Sequence, residues 1–68
     1  MSVFTTKNRT GAKVTVVAAN VAFVENTESG QATIHFVGGT VLPTSIGYDS
    51  VRKNVAKSLG KDASADTE

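Results

Sequence analysis

Hydrophobic and polar positions alternate along most of the chain, with the period of two that marks strands buried on one face. The alternation is clearest in residues 13–17, where Val14 and Val16 point to one side of the predicted strand and Val17 to the other. Runs of β-branched and aromatic residues predict four further strands, at residues 3–6, 21–25, 31–37 and 40–42.

Polar, glycine-containing segments separate these strands and predict that consecutive strands form hairpins. Residues 7–11 and 26–30 each end in a glycine, which adopts a positive φ at little cost. Gly38-Gly39 fits a two-residue turn of type I′ or II′. Neither a G-x-G-x-x-G nor a P-loop frame surrounds it, so a phosphate-cradling loop is not predicted. Because Pro43 cannot donate a ladder hydrogen bond, we expect it to end the last strand.

The last element has the period of a helix instead. Its apolar positions fall in one stripe at about 100° per residue, namely Tyr48, Val51, Val55 and Leu59. Gly47 is the expected N-cap, with Ser45 as the alternative, and Gly60 is the expected C-terminal stop. The pattern therefore predicts an α+β fold, an antiparallel meander of four to five short strands with one C-terminal amphipathic helix.

One helix covers only one face of such a sheet. The other face would carry apolar residues, namely Val17, Val24 or Phe23, and Val37. Two interpretations stay open. Either this face is a subunit or partner surface, with Val17 and Val37 exposed in the monomer, or the sheet curls into a small barrel that buries these residues itself.

Composition limits the chain to one thin core. Residues 1–60 form a single predicted domain, with six basic and three acidic side chains, and residues 61–68 form an acidic tail that we expect to be disordered. Cysteine is absent, which excludes disulfides and thiolate metal sites. No apolar run approaches the length of a membrane span, and we expect a cytoplasmic protein that needs self-association for stability.

Catalytic chemistry has no support in the residue pattern. His35 is the single histidine, and no carboxylate or further ligand stands at metal-site spacing from it. A G-x-S-x-G elbow is absent as well. We therefore expect no enzyme activity, no catalytic residue, no metal and no cofactor, and interpret His35 as a surface or interface residue that could respond to pH.

Two functions of different classes remain. The first is a non-catalytic protein-interaction or assembly module that regulates or inhibits a larger protein partner, as a homo-oligomer, with Val17, His35 and Val37 as interaction candidates. The alternative is a small nucleic-acid-binding regulator that contacts phosphates through two basic groups, Lys7, Arg9 and Lys13 around the first turn and Lys53 and Lys57 on the helix. A sequence pI of about 8.1 is low for such a domain.

The order and spacing of these elements resemble those of a known family. Residues 9–25, with a glycine turn and an Asn- and Val-containing strand that ends in Glu25, are followed by a strand into a second glycine turn and by a short helix at Asp49-Ser50-Val51. This order over residues 9–59 is similar to that of FlbD-type flagellar accessory proteins and of small phage-encoded accessory proteins. Gly38-Gly39 and Pro43 depart from the FlbD pattern. The resemblance implies a small regulatory or interaction role and no catalytic residue.

Overall fold

A computed structural model describes the backbone of residues 2–63 and the side chains of residues 2–60. It contains five strands, one 3₁₀ turn and one α-helix. These are β1 (Val3–Lys7), β2 (Lys13–Val17), the 3₁₀ turn (Ala18–Asn20), β3 (Val21–Asn26), β4 (Gln31–Phe36), β5 (Val41–Gly47) and α1 (Tyr48–Ala63).

All strands pair antiparallel, and they are divided between two sheets. β1 and β2 form a two-stranded sheet, and the other three strands form a sheet in the order β3-β4-β5. A β-bridge between Asn8 and Thr44 links the two sheets where β1 ends. The α+β fold class predicted from the sequence is confirmed.

The two sheets and the helix share one core. Each sheet contributes its inner face and α1 contributes one stripe, and the buried apolar residues are Phe4, Val16, Ala18, Ala32, Ile34 and Val51. The predicted helix stripe is confirmed at Tyr48, Val51 and Val55, whereas Leu59 is exposed and the neighbouring Ser58 is buried in its place. Because the inner faces share this core, the outer faces of both sheets remain free of it.

Asn8 shapes the turn between β1 and β2. Its side-chain Oδ1 accepts hydrogen bonds from the Thr10 N–H at 3.0 Å, the Thr10 hydroxyl at 2.7 Å and the Ala12 N–H at 2.9 Å. Gly11 completes the turn with a φ of 92°. An asparagine whose side chain accepts hydrogen bonds from several nearby donors is typical of a tight turn. Asn8 thus fixes the register of the first hairpin.

The turn between β4 and β5 has three residues rather than the predicted two. The Gly39 N–H donates to the Phe36 carbonyl, and the Phe36 N–H donates to the Thr40 carbonyl, so Val37, Gly38 and Gly39 form the loop. Both glycines have a φ of 100°. The pair therefore does supply the positive φ angles of a hairpin turn, and the prediction that Gly38 and Gly39 alone form it is wrong.

The prediction that Pro43 ends the last strand is also wrong, since β5 continues to Gly47. Pairing between β4 and β5 shifts between the Thr33–Pro43 and Gln31–Gly47 pairs, which places two additional residues in β5. Thr44 stabilises this irregularity. Its hydroxyl donates to the Ala32 carbonyl at 2.7 Å and accepts from the Ile46 N–H at 3.3 Å. The Thr44 side chain thus makes hydrogen bonds that backbone groups would make with each other in a regular ladder.

The helix begins directly after Gly47, as predicted, and the Ser45 alternative is not adopted. The Tyr48 N–H donates to the Gly30 carbonyl at 3.0 Å, which ties the helix start to the loop before β4. Gly60 is not the stop, because α1 continues to Ala63. A single glycine destabilises a helix by only about 1 kcal/mol, so neighbouring residues that favour the helix allow it to continue beyond Gly60. The backbone of residues 61–63, the first part of the predicted disordered tail, belongs to α1. Residues 64–68 lie outside the described residues, and the prediction for them stays a prediction.

Candidate interaction surfaces

The outer face of the three-stranded sheet carries a row of side chains that no element covers. Register pairs place Phe23 of β3 opposite His35 of β4, and His35 opposite Val41 of β5. Side chains directly opposite each other lie on the same face of a sheet. Phe23 is 57% exposed and Val41 is 49% exposed. Together with Val37, which follows His35 by two positions and is 69% exposed, they form what we call the outer patch (Phe23, His35, Val37 and Val41).

The centre of the outer patch is a stacked pair of rings. The Phe23 and His35 ring centroids are 4.1 Å apart, with 12° between the ring planes. His35 Nε2 lies 2.9 Å from Glu25 Oε1, a hydrogen bond that becomes an ion pair when the imidazole is protonated. The imidazole is therefore contacted from two sides, by a ring and by a carboxylate, and both contacts favour this orientation of the ring.

The structure brings together two of the three predicted interaction residues. His35 and Val37 both belong to the outer patch. Val37 is additionally anchored by its backbone, because its N–H donates to the Asn20 carbonyl at 2.8 Å. Val17 lies elsewhere, opposite Val3 in the two-stranded sheet, and it is half-buried. The prediction that Val37 is exposed is confirmed, whereas Val17 is only partly exposed.

Sequence reasoning missed three members or neighbours of this surface. It left Phe23 as an alternative to Val24, because the pairing shift between Val21 and Phe23 interrupts the simple alternation of β3. It assigned no role to Val41, although alternation from Leu42 would have placed it outward. Glu25 was placed at the end of the third strand with no partner assigned, and only the folded structure shows that it lies beside His35.

A shallow apolar groove runs between β3 and α1. Its volume is about 320 Å³, and it is lined by Val21, Ala22, Phe23, Val24, Tyr48, Arg52, Val55, Ala56 and Leu59. Arg52 lies at the rim, where its Nη2 is 3.7 Å from Asp49 Oδ1 on an exposed part of the helix. Phe23 belongs both to this groove and to the outer patch, so the two apolar surfaces meet at the free edge of β3.

No family model matches this chain, and the searches of curated proteins and of solved structures found no match either. The resemblance to FlbD-type proteins therefore stays a prediction.

The basic residues named from the sequence are divided by the fold. Lys7 and Lys13 are directly opposite each other at the end of the two-stranded sheet, and both are exposed. Arg9 instead lines a surface pocket together with Glu25 and Glu28. Lys53 and Lys57 are exposed on α1. Arg9 therefore does not belong to a purely basic surface, since two carboxylates accompany it.

Within residues 2–60, no cluster of three or more His, Cys, Asp or Glu side chains is arranged to hold a metal ion. No helix in the described part of the chain is long and apolar enough to cross a membrane. The predictions that concern catalysis, cofactors and cytoplasmic location stay predictions.

Proposed function

We propose that the protein is a non-catalytic interaction module of the cytoplasm, which regulates or inhibits a larger protein by docking on it through the outer patch. The observation that carries this proposal is the exposure of Phe23, Val37 and Val41 on one uncovered sheet face. The largest apolar patch of a monomer is on the order of 300–600 Å² and is often functional. The likeness to flagellar and phage accessory proteins points to the same kind of role.

Phe23 is the expected anchor of this interaction. Aromatic residues are enriched in the cores of interfaces and among the residues that dominate binding energy. Stacking on His35 holds the Phe23 ring before a partner arrives, at a centroid distance of 4.1 Å. A ring that is already ordered loses less conformational entropy on binding, which favours affinity.

Self-association is the second part of the proposal and involves a different part of the surface. β3 pairs with β4 alone and is therefore an edge strand. An open edge carries unpaired backbone donors and acceptors that a second copy of the chain can use. The apolar groove beside β3 adds area to such a contact, and a small domain with a thin core gains stability from it.

The outer patch is tested with a pair of matched variants. Val41→Asp places a charge in the patch, and Val3→Asp places the same charge on the other sheet, at a valine of almost equal exposure (51% against 49%). We expect a protein captured from host extract by the wild type to be lost with Val41→Asp and kept with Val3→Asp. Equal retention by both variants would refute the docking surface.

Light scattering after size exclusion tests the second part separately. A defined oligomer for the wild type and for Val41→Asp would support self-association through the edge of β3. A monomer at all concentrations would refute that part and leave the docking surface standing.

A further inference from the structure

The free edge of β3 carries backbone groups and side chains that a second copy of this chain can match in one register. We infer that two copies join their β3 strands in antiparallel orientation, with Val24 directly opposite the partner's Val24. The two three-stranded sheets then form one continuous sheet in the order β5-β4-β3-β3-β4-β5. This dimer rests on the self-association proposed above and specifies which residues meet in it.

Two residues of β3 direct their backbone hydrogen-bonding groups away from β4. The Thr27 N–H donates to the Gln31 carbonyl at 3.2 Å, so the ladder starts with a hydrogen-bonded pair. Hydrogen-bonded and non-hydrogen-bonded pairs alternate from there, which makes Val24 and Asn26 members of non-hydrogen-bonded pairs. Their N–H and C=O groups therefore face the open edge, and within residues 2–60 no hydrogen bond to another segment uses them.

This alternation leaves few registers, because Val24 and Asn26 must make the hydrogen bonds across the contact. A register centred on Phe23 would need Ala22, which is the additional residue of the bulge in β3. A register centred on Asn26 would pair the strand with the loop that follows it. A register centred on Glu25 would place two carboxylates directly opposite each other, which destabilises a sheet. The register centred on Val24 remains.

In the register centred on Val24, the side chains on both faces of the joined sheet are compatible. On the outer face, Phe23 lies opposite the partner's Glu25, and Glu25 lies opposite the partner's Phe23. No carboxylate then faces another, and Glu25 keeps its hydrogen bond to His35 of its own copy at 2.9 Å. On the helix side, two β-branched valines meet, a pairing that suits a strand contact.

The helix presents a second, mostly apolar stripe toward the same edge, with members three or four residues apart. It lines the groove beside β3 and consists of Tyr48, Arg52, Val55, Ala56 and Leu59. Leu59 is 39% exposed there. A two-fold axis perpendicular to the joined sheet keeps both helices on one face, so the partner's β3 and helix together cover this groove. A single strand from an unrelated protein would pair with the edge but bring no helix, which favours a second copy as the occupant.

Introduced cysteines test the register directly, because the chain contains none of its own. Phe23→Cys and Glu25→Cys, both at exposed positions, are prepared separately, mixed and oxidised. Residues opposite in a non-hydrogen-bonded pair have Cα atoms about 4.5 Å apart, within disulfide range, whereas diagonal neighbours are about 7–8 Å apart. We expect the disulfide between the two variants to exceed each homo-disulfide by at least about tenfold in mass spectra.

Val3→Cys is the matched control, at a valine of 51% exposure on the other sheet. Mixed with either variant, it should give no preferred disulfide, since only random encounters bring these positions together. Equal yields of all disulfides from the Phe23→Cys and Glu25→Cys mixture would overturn the register, and so would a dominant Glu25→Cys homo-disulfide.

A pair of charged variants provides a second measurement that needs no cross-link. Phe23→Lys and Phe23→Glu both remove the ring, but only the first places an opposite charge against the partner's Glu25, twice per dimer. The dimer dissociation constant from sedimentation at low salt should be at least about tenfold lower for Phe23→Lys. The difference should shrink in about 1 M salt. Equal dissociation constants at low salt would overturn the register.

The outcomes separate this inference from the proposed function. A wild type that forms a dimer but fails the cysteine and charge tests would overturn the register and leave self-association standing. A wild type that stays monomeric at all concentrations would refute both. Neither result bears on capture of a larger protein through the outer patch.

Discussion

At the scale of single residues, Thr44 has the strongest structural role among those that could not be predicted from the sequence. It is fully buried, and its hydroxyl connects the Ala32 carbonyl to the Ile46 N–H across the irregular part of β5. The side chain thus holds the segment after Pro43 in the sheet, although a proline would otherwise end the strand.

Thr44→Val keeps the shape of this side chain but removes its hydrogen bonds. We expect the free energy of unfolding to fall by about 1–3 kcal/mol, because the Ala32 carbonyl is left unpaired in the core. Urea unfolding measures the loss. The control is Thr15→Val, the same change at an exposed strand position, which should stay within about 0.5 kcal/mol of the wild type. Equal effects of the two substitutions would contradict the role assigned to Thr44.

A substitution at Lys13 should have the opposite effect and raise the free energy of unfolding. Lys13→Glu replaces a like-charge pair with an opposite-charge pair against Lys7, and this should raise the free energy of unfolding by about 0.5 kcal/mol at low salt. The gain should largely vanish in about 1 M salt, where charges are screened within about 3 Å. Unfolding curves at the two salt concentrations check this. A gain that is the same in both would show that electrostatics is not its cause.

At the scale of elements, the position at which the helix ends can be tested by substitution. A glycine that stops a helix usually adopts the left-handed conformation, which alanine resists. In the structure, Gly60 is inside α1, does not have a positive φ, and would meet no heavy atom within 4 Å if it carried a Cβ.

Gly60→Ala should therefore stabilise the protein by about 0.5–1 kcal/mol, since alanine loses less backbone entropy than glycine in a helix. The matched control is Gly39→Ala in the hairpin loop, where a φ of 100° makes alanine unfavourable and should destabilise by about 1–2 kcal/mol. Thermal unfolding followed by circular dichroism distinguishes the two. A loss of stability in Gly60→Ala would indicate that the helix stops at that residue.

The elements that follow a local period could be predicted from the sequence. The strands of the three hairpins and the start of the helix depend on alternation, glycine turns and an apolar stripe, all of which are local. The continuation of β5 could not be predicted, because it depends on a hydrogen bond from Thr44 to a residue twelve positions away. Which side chains lie opposite each other on neighbouring strands can likewise be stated only once the register of strand pairing is known.

The same distinction applies to the surfaces. His35 and Val37 were identified because alternation places them opposite the buried residues of β4. Glu25 was not connected with His35, since the pairing shift in β3 decides which side chains are neighbours.

At the scale of the whole molecule, both sheets depend on one core and should unfold together. Val51 is fully buried and joins Phe4 and Val16 of the first sheet to Ile34 of the second in one cluster. Neither sheet has a second core of its own among the described residues, so neither is expected to survive the loss of this cluster.

Val51→Ala should lower the free energy of unfolding by about 2 kcal/mol through the cavity that it leaves. Val37→Ala is the matched control at an exposed position, and its effect should be within about 0.5 kcal/mol of zero. Hydrogen exchange should report the same free energy of opening for the Val16 and Ile34 amides, in the wild type and in Val51→Ala. Different values for the two sheets would mean that they unfold independently.

The stack of Phe23 on His35 has a practical consequence for following these events in solution. His35 is the single histidine of the chain, so its imidazole protons give resolved signals in a proton spectrum without isotope labelling. Lying face to face with Phe23, those protons experience its ring current and resonate upfield of a free imidazole. Any molecule that covers the ring pair or separates it shifts these signals. The protein thus contains its own spectroscopic reporter at the centre of the face where a partner is expected.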